Sequence, residues 1–237
     1  MAFRPLFKKM FYRNVTVSLI FLFACSFLLQ YSLAGETEDA EAGEIVSTYK
    51  NTENAIIKRK ALRKLSQNTR ETGEAVAQWK KDLISEALSE KDPTVVEAAV
   101  HQVTALALPE FNQRLIYLYH NAPDLFANMY DSRVRISIVR ALGKTGVADN
   151  SAFTLFQDIL IPEKDKFTYV QGDVLMAIKQ CNDPGFIPMV QKYGDFMKAA
   201  VAEKKAAGED PVFYRILEDY SSMCDDIIRA LKKQERR

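Results

Sequence analysis

At 237 residues the chain can build one sizeable core or an array of small units, and its 48% hydrophobic and 27% charged content is that of a folded globular protein. Nine glycines and eight prolines exclude a linker-rich or low-complexity chain. Arg4, Lys8, Lys9 and Arg13 are the only charges before Glu36, so the net charge of +1 conceals a slightly acidic body, which argues against a dedicated nucleic-acid binder.

Those four basic residues precede a nearly uninterrupted apolar run from Val15 to Tyr31, closed by the small residues of Ser32-Leu33-Ala34. A basic start, an apolar middle and a small-x-small end make residues 1–34 a secretory signal peptide, cut after Ala34. Two alternatives also imply export. Residues 15–34 approach the roughly 20 residues that span a bilayer, so they could remain as an anchor. Leu22-Phe23-Ala24-Cys25 loosely resembles a lipid-attachment site, against which stand the bulky Phe23 and the apolar run after Cys25. Met10 is an alternative start that leaves a shorter leader. The long basic leader looks bacterial, and the expected compartment is the periplasm, with the chain either free there or anchored in the membrane facing it. Residues 35–52, where Glu36, Glu38, Asp39, Glu41 and Glu44 gather with Gly35 and Gly43, read as an acidic flexible linker.

From Ile57 onward one helical pattern recurs. Ile57, Ala61 and Leu65 form its first copy, and Val95, Ala99 and Val103, introduced by Asp92-Pro93, the second. Val134, Ile138, Ala141 and Leu142 form the third, and Val170, Val174, Ala177 and Ile178 the fourth. Each set lies on one face of a 3.6-residue period, and the copies step by 36–39 residues, a spacing that signals stacked supersecondary units. In the third copy Asp131 reads as the N-cap and Gly143 as a left-handed helix stop. A second helix follows each copy: Glu74 to Leu88, Pro109 to His120, Ser151 to Ile161, and Pro184 to about Met197. Their apolar positions are Val76, Trp79 and Leu83; Phe111, Leu115 and Leu118; Phe153, Phe156 and Leu160; and Ile187, Val190 and Phe196. Pro93, Pro109, Pro184 and Pro211 suit first-turn positions, whereas Pro123 and Pro162 fall where helices stop. No stretch alternates as a strand does. Lys198 to Ala207 extends the last second helix past Gly194, and Gly208 to Pro211 breaks it. A final helix, Val212 to Lys233, carries Ile216, Tyr220, Met223, Ile227, Ala230 and Leu231 on one side and reads as a C-terminal cap.

Asp131, Val134, Arg135, Ala141, Leu142, Gly143 and Gly146 follow an Asp-x-x-Val-Arg, Ala-Leu-Gly, Gly pattern. In these residues the chain resembles the HEAT-repeat family, particularly the bacterial HEAT-like repeats akin to those of phycobilisome lyases. The resemblance covers roughly residues 53–200 and is strong only in the third unit. In the second, Val96 replaces the arginine and Gln102-Val103 replaces Ala-Leu; the fourth has Gln171 and the first Lys58 at the arginine position. The family pairs Asp and Arg of successive units as a ladder, and here only Asp131 and Arg135 can belong to a full one. The resemblance implies an all-α solenoid of about four helix pairs over residues 53–207, closed by a capping helix over 208–237.

The pattern of a catalytic centre is missing. His101 and His120 have no cysteine or carboxylate set at metal-ligand spacing, and neither Gly-x-Ser-x-Gly nor His-Glu-x-x-His occurs. Gly143-Lys144-Thr145 resembles the end of a phosphate-binding loop, but Ile138 stands where that loop needs its other glycine. No catalytic, metal or cofactor-binding residue is therefore assigned, and no cofactor is expected. Cys181 and Cys224 remain after signal removal and could form a disulfide stapling the cap to the last unit, or stand as buried thiols. Such a bridge would contribute roughly 3–4 kcal/mol in the chain-entropy model.

HEAT-like arrays line their concave side with second helices, so the resemblance implies a partner surface there. On the second of these helices Gln113, Tyr117 and His120 project away from the core face, and Gln157 and Lys192 hold roughly corresponding positions on later ones. The expected function is an exported, non-enzymatic scaffold holding a protein or peptide on these residues. The alternatives are an enzyme subunit or a lyase-like protein with a small-molecule site between helices, and a membrane-tethered assembly factor.

Overall fold

The structure is a computed structural model that describes residues 40–67, 76–125, 129–145, 150–161 and 168–235. The leader, its cleavage site, Cys25, Gly146 and Pro162 lie outside them, as does the side chain of Asp131. The chain divides into two compact units, Met1–Asn51 and Thr52–Arg237. In the first, residues 40–50 form helix α1, with Ile45 and Tyr49 buried. This corrects the linker reading over that stretch. Ala42, Ile45, Val46 and Tyr49 stand at i, i+3, i+4 and i+7, an apolar stripe that the neighbouring glutamates obscure.

The second unit is all helical among its described residues. Its helices are α2 (Ala55–Lys64), α3 (Gln78–Ala87), α4 (Pro93–Leu106), α5 (Asn112–Leu125), α6 (Met129–Thr145), α7 (Asn150–Ile159), α8 (Thr168–Cys181), α9 (Ile187–Ala206) and α10 (Arg215–Glu235). None of the described helices is long and apolar enough to cross a membrane. Short 3-10 turns open on Pro109, Pro184 and Pro211, and Pro93 starts α4, because proline presets the helical φ where its missing N–H costs nothing. Asp92 accepts from the backbone N–H of Thr94 at 2.8 Å, and Asn54 caps α2 through Ile56 at 2.9 Å. Pro123 falls inside the last turn of α5 rather than at its stop. Gly208, at φ +71°, ends the long α9 as expected.

The packing follows the repeat. First helices lie side by side, α2 on α4, α4 on α6, α6 on α8, and α10 against α8 and α9. Second helices pack on the first helix of the next unit, α3 on α4, α5 on α6 and α7 on α8. The expected stripes of α4, α6 and α8 are all buried, from Val95 to Ile178. Polar contacts join equivalent positions of successive first helices. Arg133 pairs with Glu97 at 2.9 Å, Arg140 with Asp173 at 2.8 Å, and the Ser137 hydroxyl lies 3.3 Å from His101 Nε2. These residues link the described first helices, and the Asp131 side of the expected Asp131–Arg135 ladder lies outside the described side chains. Arg135 is instead buried, with its guanidinium 4.6 Å from the ring centre of Tyr119 on α5.

Three expectations are corrected. The face of α2 is rotated: Ile57 is exposed, while Lys58 is buried with Ala61, Leu62 and Leu65. Its ammonium donates to Glu90 at 2.6 Å, which raises its pKa above the usual lysine value and makes burial of the aliphatic stem tolerable. On α10, Ile216 and Ala230 are exposed; Ser221, Cys224, Ile227, Ile228 and Leu231 face inward. Gly143 lies inside α6, not at a left-handed stop, and Asp131 lies within its first turn. A Cβ on Gly143 would stand 2.6 Å from Ala177 Cβ, so the residue is bare because α8 crosses there.

The cysteines are separate free thiols. The Cys181 thiol lies 3.4 Å from the Gly143 carbonyl, to which it donates, whereas Cys224 is buried against Gly194. Burial pushes Cys181 up to about 11 and Cys224 up to about 12, so little thiolate exists at neutral pH. Peptide mapping after alkylation in denaturant without reductant should find both labelled, and native alkylation at pH 8 should reach half-buried Cys181 before Cys224. A protected pair in denaturant would restore the disulfide.

Candidate functional site

The second helices carry every residue expected to meet a partner, and the structure brings two of them together. Gln157 on α7 and Lys192 on α9 line one cavity of about 100 Å³ with Leu160, Ile161, Met189, Tyr193 and Phe196. The groove follows from local sequence. Met189, Val190, Tyr193, Met197 and Val201 are the buried stripe of α9, at successive spacings of one, three, four and four residues. Phe196 sits one position beside that stripe and is 42% exposed, correcting its assignment to the core. It lines the same cavity as Lys192.

Aromatic contacts join the elements around it. The ring of Phe186 lies 5.0 Å from that of Phe153 and 6.1 Å from that of Phe156, tying the turn before α9 to α7. Tyr193 donates its hydroxyl to Gln171 Oε1 at 2.7 Å, and Gln171 Nε2 donates to the Ile159 carbonyl at 3.2 Å. Burial pushes the Tyr193 phenol far above the ordinary tyrosine value, so it stays a neutral donor. Gln171 thus satisfies one of the carbonyls that the end of α7 leaves unpaired and fixes the tyrosine at the groove. In the sequence it appeared only as a departure from arginine. A buried glutamine one residue after the leading apolar position of a first helix was the available signal.

Gln113, Tyr117 and His120 are exposed on α5 and do not line this cavity. Tyr117 is 64% exposed, and His120 meets the edge of Tyr119 with ring centres 5.8 Å apart. Among the described residues no group of three or more His, Cys, Asp or Glu is placed to hold a metal ion. No family model, curated protein or solved structure matches the chain in comparison.

Proposed function

We propose that the chain is an exported, non-enzymatic HEAT-like solenoid that holds a protein partner on its second-helix side. The observation carrying this reading is the convergence of Gln157, Lys192 and the exposed ring of Phe196 on one groove between α7 and α9. An apolar wall with a few placed polar groups suits an anchoring side chain of a partner, and the lysine favours a carboxylate beside that anchor. Tyr117, on an earlier second helix, extends the same kind of surface: a large, rigid contact area with a hydrogen-bonding tip. Export rests on the basic, apolar, small-x-small leader, and the periplasm is the compartment that fits it.

Site-directed photo-crosslinking of the full chain, exported through its own leader, tests the surface. Benzoylphenylalanine in place of Phe196 should yield one discrete adduct, diminished by Lys192→Glu, and the same residue in place of Met176, exposed on first helix α8, should yield none. Equal adducts from both positions would reject a second-helix site. Tyr117→Ala with His120→Ala should reduce the adduct without lowering Tm; an unchanged yield would confine the site to α7 and α9.

A further inference from the structure

The first-helix side holds a second cavity, of about 120 Å³, lined by Arg59 and Arg63 of α2, Thr94, Glu97, His101 and Gln102 of α4, and Arg133 of α6. Its charge is unbalanced. Glu97 is the one carboxylate in this lining, and Arg133 takes it through Nη2 at 2.9 and 3.2 Å. Arg59 and Arg63 stand one turn apart on one face of α2 and form no hydrogen bond or ion pair among the described residues; the Asp92 carboxylate acts on Arg59 only through space. Gln102 is 4% exposed, yet its side-chain carbonyl oxygen has no hydrogen-bond partner, a costly state for a buried acceptor. Partial desolvation lowers the pKa of the His101 imidazole, with Arg140, Arg63 and Arg133 acting in the same sense against Glu97. The space equals the bulk volume of about four waters, enough for a tetrahedral oxyanion.

We propose that this cavity binds a phosphate group, carried by inorganic phosphate or a small phosphate monoester. Arg59 and Arg63 are its main ligands, because guanidinium forks match phosphate oxygens and neither fork is engaged by a hydrogen bond among the described residues. Arg133 and His101 close the site, and the Gln102 carbonyl oxygen gains the donor it lacks from a protonated phosphate oxygen, or a water bound with it, once its side chain turns into the cavity. The site lies on α2, α4 and α6, apart from the partner groove on α7 and α9, and does not depend on that reading.

Calorimetric titration of the exported chain with inorganic phosphate at constant ionic strength tests it, with acetate as a second titrant. Saturable one-to-one binding of phosphate is expected, and the His101 ring signals should shift while those of His120 stay in place. Arg59→Gln with Arg63→Gln should weaken binding at least about tenfold, the scale of one lost charge-assisted hydrogen bond. Lys192→Gln, which removes one positive charge from the other side as Arg63→Gln alone does here, should leave affinity unchanged. Circular dichroism would confirm folding, and Arg63→Gln alone, at an exposed position, serves if the double variant does not fold. Absence of saturable binding, equal binding of acetate, or unchanged affinity in the folded arginine variants would overturn the proposal.

Discussion

Gly143→Ala is expected to destabilise the chain by about 2 kcal/mol, although alanine is the better helix former. In an open helix interior the exchange would stabilise by roughly 1 kcal/mol, since glycine pays more backbone entropy on folding. Here the new methyl would stand 2.6 Å from Ala177 Cβ and 2.7 Å from Ala177 Cα. The nearest atoms include backbone, so no rotamer change relieves the overlap; α6 and α8 must move apart, and overpacking of that kind costs about 1–3 kcal/mol. Urea unfolding of the exported chain measures it, and a neutral or stabilising result would show that the helices are not in contact at this point. Because the clash reaches Ala177 Cα, adding Ala177→Gly should recover only part of the loss.

Gln171→Leu should cost about 2–4 kcal/mol while nearly preserving volume. The glutamine is 1% exposed and is held between the Tyr193 hydroxyl and the Ile159 carbonyl. Leucine leaves one buried donor without an acceptor and one acceptor without a donor, each worth about 1–3 kcal/mol when orphaned. Removing the orphaned hydroxyl by Tyr193→Phe in the same chain should return part of that loss, so a double-mutant cycle should give a coupling energy well above zero. Additive effects would separate the two side chains. Since Tyr193 lines the groove, Gln171→Leu should also lower the crosslinking yield at position 196 more than an equally destabilising change far from α9.

The phosphate cavity and the partner groove share a property that explains why neither could be read along the chain. Arg59 and Arg133 are separated by more than seventy residues, and Gln157 and Lys192 by thirty-five, yet each pair lines one cavity. Individually they are charged or polar residues on helix surfaces, indistinguishable from ordinary solvated positions. Gln157 and Lys192 were reachable only through the phase of the repeat, which places equivalent residues of successive second helices side by side. The arginines of α2 had no such guide, because the first copy was only partly legible: of Ile57, Ala61 and Leu65, Ile57 is exposed, and the stem of Lys58 is buried with the other two.

By itself the sequence determined the all-helical class, the succession of first and second helices, and the buried stripes of α4, α6 and α8. Each of these rests on local chemistry: a 3.6-residue apolar period, prolines at first turns and an aspartate cap act within a few residues. The tertiary structure alone decided between roles that the same residue type can fill. Glycine at 143 suits a left-handed stop or a helix crossing, since both need a missing Cβ, and only the approach of Ala177 selects the crossing. Cysteines at 181 and 224 suit a bridge or two buried thiols, and only their separate surroundings, the Gly143 carbonyl and Gly194, leave them unbridged. A polar residue after the leading apolar position can be solvated or buried. Lys58, Arg135 and Gln171 are buried because Glu90, the Tyr119 ring and the Tyr193–Ile159 pair, all distant in sequence, are there to receive them.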